Sequence, residues 1–143
     1  MNKISLKKIS NNVLNIQINS IEKLKSSFDK NFEEIIEFLA KIKGRIIITG
    51  IGKSAIIGMK VSATLNSTGT PSIFMHGSDA LHGDLGAITK DDVVICFSKS
   101  GNNNETIDLT RQIKKLNIHL IAITSNKESY LRKKSDNSIV YNI

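Results

Sequence analysis

The chain has one cysteine, one proline and no tryptophan, and only 5% of its 143 residues are aromatic. Cys96 stands alone inside the apolar run Val93-Val94-Ile95-Cys96-Phe97, so no internal disulfide can form, and a free cysteine in such a run acts as a small, inert hydrophobe. Pro71 directly precedes a β-forming run, where its missing N–H removes nothing from a strand ladder. No apolar run approaches the roughly 20 residues that span a bilayer. The start Met1-Asn2-Lys3-Ile4-Ser5 has neither the apolar stretch nor the cleavage site of a secretory signal. A cytoplasmic protein with no membrane partner is the resulting expectation. Internal repeats and low-complexity linkers are also missing. With 40% hydrophobic and 23% charged residues, the chain fits one globular domain around a single core.

The formal net charge of +7 favours anionic partners without saying which. Basic residues are spread over the helical segments, and no basic run is interleaved with aromatics in the manner that grips single-stranded nucleic acid. Solvated lysine and arginine faces account for the excess, so nucleic acid is not an expected partner. A small phosphorylated substrate would use the same charge at one point.

From residue 14 to residue 42, Leu14, Ile18, Ile21, Leu24, Phe28, Phe32, Ile35, Leu39 and Ile42 recur in steps of three and four, an amphipathic helical pattern. The polar patch at residues 26–31 is a point where two helices could divide, although the periodicity passes through it in phase. This face either covers the core or packs on another subunit. After Gly44 the texture changes. Residues 45–49, Arg45-Ile46-Ile47-Ile48-Thr49, form a short β-branched run without alternation, as in a strand buried on both faces of a parallel sheet. Further strands are predicted at residues 72–75, 92–97, 119–124 and 138–141, alternating with helices at 53–66, 78–85, 103–116 and 127–134. Five strands separated by helices predict an α/β fold, a doubly wound five-stranded parallel sheet. Residues 1–44 are then an N-terminal helical segment of the same domain, and residues 45–143 its α/β core.

Open α/β sheets bind ligands beyond the carboxyl ends of their strands, near the point where strand order reverses. Three polar segments here follow predicted strands. The first, Gly50-Ile51-Gly52-Lys53-Ser54, lacks the leading glycine of a Walker A loop, because that position is Ile47. Read as a dinucleotide fingerprint it lacks the acidic residue for a ribose, since the second strand runs Phe74-Met75-His76. What remains is a glycine-rich turn, with Ser54 at a helix start and Lys53 either a mobile cation or an ordinary solvated lysine. The second, Leu81-His82-Gly83-Asp84-Leu85-Gly86, sets an imidazole beside a glycine and a carboxylate. His82 can move protons or polarise a carbonyl, or simply cap a helix. No cysteine or additional histidine accompanies His76 and His82 as a third ligand, so no metal is expected. The third, Ser98-Lys99-Ser100-Gly101-Asn102-Asn103-Asn104-Glu105, joins an apolar strand to a helix start and has the construction of an anion cradle. Ser98 and Ser100 supply hydroxyls and Gly101 the tight turn. Glu105 on the first turn either favours the helix dipole or points at a substrate as a base.

Taken together, Gly50-Ile51-Gly52-Lys53-Ser54, Ser67-Thr68-Gly69-Thr70-Pro71, His82-Gly83-Asp84-Leu85-Gly86 and Ser98-Lys99-Ser100-Gly101 closely resemble the sugar isomerase (SIS) domain over residues 10–143, and within it the arabinose 5-phosphate isomerases. The resemblance implies a flavodoxin-like fold and the interconversion of D-ribulose 5-phosphate and D-arabinose 5-phosphate, the precursor of an eight-carbon acid of lipopolysaccharide. It implies no organic cofactor. By resemblance, Ser54, Ser98, Ser100, Gly101, Asn102 and Asn103 hold the substrate phosphate, while Lys53, His82 and Glu105 belong to the active site. An anchored phosphate would fix C1 and C2, Glu105 would pass a proton between them, and Lys53 or His82 would stabilise the enediolate oxygens.

The chain departs from the family pattern in three places. Lys99 and Asn102 to Asn104 replace residues of a loop that usually reads SNSGES or SNSGET. Full-length family members continue into paired CBS domains, and the chain is expected to differ from them there. Beyond residue 143 the family continues with another active-site glutamate, further helices and a later histidine, so the chain is expected to be an α/β core without its C-terminal helices. The resemblance also implies a homo-oligomer, dimer or tetramer, built through helices. A sugar-phosphate-binding regulatory module without catalysis is the alternative, although the basic recognition helix of a DNA-binding partner domain is missing.

Overall fold

The computed structural model describes residues 5–142; what is expected of residues 1–4 and 143 lies outside the described residues. Five strands, β1 (Ile46–Gly50), β2 (Ser72–His76), β3 (Val93–Phe97), β4 (His119–Thr124) and β5 (Asn137–Val140), form one sheet in the order β2-β1-β3-β4-β5. All four pairings are parallel. This is the flavodoxin-like order, in which the chain moves outward from β1 to β2 and then reverses to β3. The helices are α1 (Leu6–Leu24), α2 (Lys30–Leu39), α3 (Lys53–Ser67), α4 (Gly77–Leu81), α5 (Asn104–Lys115) and α6 (Tyr130–Lys134).

The unbroken Ile46-Ile47-Ile48 run follows from the central position of β1, where both faces are covered. On one face Ile47, Val94, Cys96 and Leu120 meet Ala80 of α4, Leu109 and Ile113 of α5, and Leu131 of α6. On the other, Ile46, Ile48, Ile95 and Ile121 meet Ile35 and Phe38 of α2 and Val61 and Leu65 of α3. Each fully buried side chain of this size stabilises the fold by about 1.5–3 kcal/mol. Burial pushes the Cys96 thiol up to about 12, which makes it inert at neutral pH.

The long helical stripe divides where its polar patch suggested. A 3-10 turn at Lys25–Ser27 separates α1 from α2, and Asp29 starts α2 by accepting a hydrogen bond from the N–H of Phe32 at 2.9 Å. The two halves have different fates. Ile35 of α2 is buried on the sheet, whereas no residue of α1 is buried, and Leu14, Ile18 and Ile21 lie open to solvent. Two predicted helices are shorter than expected. The one at 78–85 ends at Leu81, because Gly83 adopts φ +133° and turns the chain into a 3-10 turn at Asp84–Ala87. The one at 127–134 begins only at Tyr130, where Ser129 accepts from the N–H of Arg132. Asn103 is the N-cap of α5, which begins one residue later than expected.

At the amino end of the sheet Arg45 and Asp92 tie β1 to β3. The Asp92 carboxylate accepts from the backbone N–H of Arg45 (2.7 Å), from its guanidinium (2.7 and 3.2 Å) and from the N–H of Thr89 (2.8 Å). The Arg45 guanidinium, above all, holds this buried carboxyl well below the usual carboxylate range. A pKa depressed in the folded state stabilises above the unfolded value and loses that contribution as pH falls below it. Asp92→Asn is therefore expected to cost about 2–3 kcal/mol at pH 7, and denaturant titrations should show the gap from wild type shrinking as pH drops below about 4.

Thr49 of β1 is an internal liability. Its side chain is buried, its Oγ1 has no hydrogen-bond partner, and the space beside it among Met75, Leu85, Ile88 and Leu109 is too narrow for water. Thr49→Val keeps the shape and removes the orphaned hydroxyl, so chemical denaturation should show a gain of about 1 kcal/mol.

Candidate functional site

The reversal of strand order puts the ends of β1 and β3 side by side, with Gly50 in register with Phe97. Beyond them the chain enters α3 through Ile51 and Gly52, and α5 through Ser98 to Asn103. Between these exits lies an open groove of about 470 Å³. Ile51 and Ser54 line it from the β1 side, Ser98, Lys99, Ser100 and Asn103 from the β3 side, and Ser125 and Asn126 from the turn after β4.

The loop after β3 is braced before any ligand arrives. Gly101 N–H donates to Ser98 Oγ at 3.1 Å, and the same buried hydroxyl lies 3.4 Å from Thr106 Oγ1. Asn102 N–H reaches Ser100 Oγ at 3.4 Å. The turn after β4 holds the outer side: the Lys99 carbonyl accepts from Ser125 N–H (3.2 Å), Ser125 Oγ (3.0 Å) and Thr124 Oγ1 (3.0 Å). The Ser100 carbonyl accepts from the Asn126 amide at 3.1 Å, and the Gly101 carbonyl from Leu131 N–H at 3.1 Å. Asn102 Oδ1 in turn accepts from Tyr130 N–H at 2.7 Å. Two loops are thereby locked into one wall.

The electrostatics of this wall favour an anion. The N-caps of α1, α3 and α5, Ser5, Gly52 and Asn103, make no side-chain cap bond, whereas Asp29, His76 and Ser129 cap α2, α4 and α6; of the three uncapped starts, those of α3 and α5 adjoin the groove. The first-turn amides of α3 and α5 and the positive ends of their dipoles are left for a ligand. Among the described residues no carboxylate lines the groove, and the cation that does is Lys99. Among the same residues, no three His, Cys, Asp or Glu side chains come together to hold a metal.

The structure brings four of the expected residues, Ser54, Ser98, Ser100 and Asn103, into one groove. Gly101 is buried behind the loop, and Asn102 is turned toward Tyr130. Lys53, His82 and Glu105 are exposed and do not line the groove: Lys53 opens α3, Glu105 lies in the first turn of α5, and His82 is the C-cap of α4. Sequence reasoning missed Lys99, Ser125 and Asn126. The rule that picked out the other three polar segments also covers Ser125-Asn126, which follow the fourth strand.

Residues 38–143 match the SIS domain, and the chain belongs to that family. The arabinose 5-phosphate isomerase KdsD of Francisella tularensis is 49% identical over 124 residues, which are 85% of this chain and 38% of that protein. The protein of the same name from Pseudomonas aeruginosa is 43% identical over 123 residues, 86% of this chain and again 38% of the relative. The chain thus spans less than two fifths of these curated relatives. A solved structure from Escherichia coli CFT073, in complex with arabinose 5-phosphate, superimposes with a TM-score of 0.83 at 35% identity, covering 96% of this chain and 74% of that one.

The loop's dependence on Gly101 can be measured. Its φ is +63°, and a Cβ there would stand 2.6 Å from both Cβ and Oγ of Ser129. Gly101→Ala is expected to lower stability by at least about 2 kcal/mol in denaturant titrations and to loosen the wall of the groove.

Proposed function

We propose that the chain is the sugar-phosphate-binding core of an aldose–ketose isomerase that interconverts D-ribulose 5-phosphate and D-arabinose 5-phosphate. The observation that carries this reading is the groove at the β1–β3 reversal, lined by hydroxyls and amides and faced by two helix N-termini without side-chain caps. The names of the relatives and the arabinose 5-phosphate bound to the Escherichia coli neighbour support the substrate class.

In this reading Ser54, Ser98, Ser100 and Asn103 meet the phosphate, while Gly101 and Asn102 hold the loop that presents them. The sugar carbons extend out of the groove toward Lys53, Glu105 and His82, none of which lines it. Glu105 moves the proton between C1 and C2, and Lys53 or His82 stabilises the enediolate oxygens. Two carbons of one sugar exchange oxidation level through a proton transfer, so the step calls for no external oxidant or reductant.

The test is formation of arabinose 5-phosphate from ribulose 5-phosphate by the protein that carries this chain. Glu105→Gln, which keeps shape and removes the base, is expected to lower kcat by about 100-fold or more, on the order of a lost general base, with a much smaller effect on KM. A folded protein that binds the sugar phosphate but turns over no pentose phosphate would replace the isomerase by a sensor module.

A homo-oligomer built through helices belongs to the same proposal. Leu14, Ile18 and Ile21 of α1 are each more than half exposed, and Ile56, Ile57 and Met59 of α3 form a second exposed apolar group. Replacing Ile18 and Ile21 together with Glu should shift the protein from oligomer to monomer in sedimentation experiments; an unchanged mass would remove α1 from the interface.

A further inference from the structure

We propose that Lys99 is a specificity-determining residue that makes the groove select the dianionic form of its ligand. The inference rests on reading the groove as a phosphate site and adds which charge state that site takes. Of the side chains lining the groove, Lys99 is the ionisable one; the others offer hydroxyls, amides or the apolar surface of Ile51. Its backbone is fixed by the three hydrogen bonds its carbonyl accepts from Thr124 and Ser125. Its side chain is exposed and joins none of the ion pairs among the described residues. It is a tethered cation on a rigid wall with no carboxylate to neutralise it.

The charged groups on the surrounding elements are few. Lys53 stands at the start of α3, Glu105 in the first turn of α5, and Lys127 and Glu128 in the turn after β4, where Glu128 pairs with Lys133 at 3.1 Å. None of them lines the groove. The helix starts of α3 and α5 also favour the dianion, but each carries only about half an elementary charge, and the hydroxyl and amide donors are neutral. A cation's attraction doubles when the ligand's charge doubles. Lys99, the full charge in the groove, therefore supplies the largest single share of the discrimination, in the pH range where a phosphate monoester loses its second proton, near pH 6.

Calorimetric titration of the folded chain with inorganic phosphate, D-arabinose 5-phosphate and sulfate at pH 5 and pH 8 tests this. Sulfate stays a dianion throughout and reports any titration of the protein itself. The wild type is expected to bind both phosphates at least about three-fold more tightly at pH 8, the ratio left when a ten-fold contact to the dianion is halved in energy for the monoanion, with sulfate unchanged. Lys99→Gln should weaken all three about ten-fold at pH 8, the scale of one charge-assisted contact, and reduce the pH dependence of phosphate binding, while Lys99→Arg restores both. Wild-type affinity and pH dependence retained in Lys99→Gln would overturn the role of Lys99 and leave the groove standing. A sulfate affinity that follows pH as the phosphates do would assign the dependence to the protein and would also overturn it. Failure of the folded wild type to bind either phosphate would overturn the groove reading together with this one.

Discussion

The parallel pairing of β1 with β3 is the constraint on which the rest of this structure depends. Gly50 and Phe97 end their strands in register, so the chain leaves the sheet at two adjacent points and each exit runs into a helix start. Had β3 paired outside β2, the Ile51–Ser54 turn and the serine loop would lie two strands apart, with no groove between them. The pairing is enforced at the opposite rim by the buried Asp92 carboxylate, shared between Arg45 at the head of β1 and Thr89 before β3. Stability chemistry and binding chemistry sit at opposite ends of the same two strands, so the polar groups of one rim are not borrowed from the other.

Preorganisation is the second consequence. A flexible loop of hydroxyls would lose much of its binding energy in becoming ordered. Here Ser98 and Ser100 use their oxygens to tie the loop to itself, and the carbonyls of Lys99, Ser100 and Gly101 point back into hydrogen bonds with residues 124–131. With those carbonyls turned away, the groove is left to hydroxyls, side-chain amides, the helix-start N–H groups and the Lys99 side chain. Carbonyl oxygens facing an anion would oppose binding, and the brace removes them from its path. Gly101 is the hinge of this arrangement, because its positive φ and its contact with Ser129 both exclude a side chain.

Much of this was legible in the sequence because it is local. An unbroken β-branched run such as Ile46-Ile47-Ile48 signals burial on two faces, and the alternation of strand and helix limits the topology to a few parallel forms. The three polar segments after strands named one rim. What escaped depends on contacts distant in sequence. Asn102 reads as a ligand residue within its own loop, but its side chain is engaged 28 residues away by Tyr130. Lys53 reads as the site's cation because it adjoins Ser54, yet the cation in the groove is Lys99, whose backbone the turn after β4 holds in place. Helix length was overread wherever a cap or a left-handed glycine interrupted the pattern, as at Ser129 and Gly83.

The helical stripe from Leu14 to Ile42 shows a different limit. Its three- and four-residue steps pass without loss of phase through both α1 and α2, but periodicity reports only that an apolar face exists and cannot say what covers it. For α2 the answer lies within the chain, since Ile35 packs on the sheet. For α1 the described residues have nothing to offer: the sheet's faces are already occupied by α2 and α3 on one side and by α4, α5 and α6 on the other. A row of branched apolar side chains left in water along a nineteen-residue helix is larger than the scattered exposure ordinary for a monomer. Such a helix has little else to hold it, because in proteins most helical stability comes from tertiary packing of an amphipathic face. The same surface that lacks a cover within the described residues is therefore the one whose helicity gains most from being covered, which makes the exposure and the structure of α1 a single question.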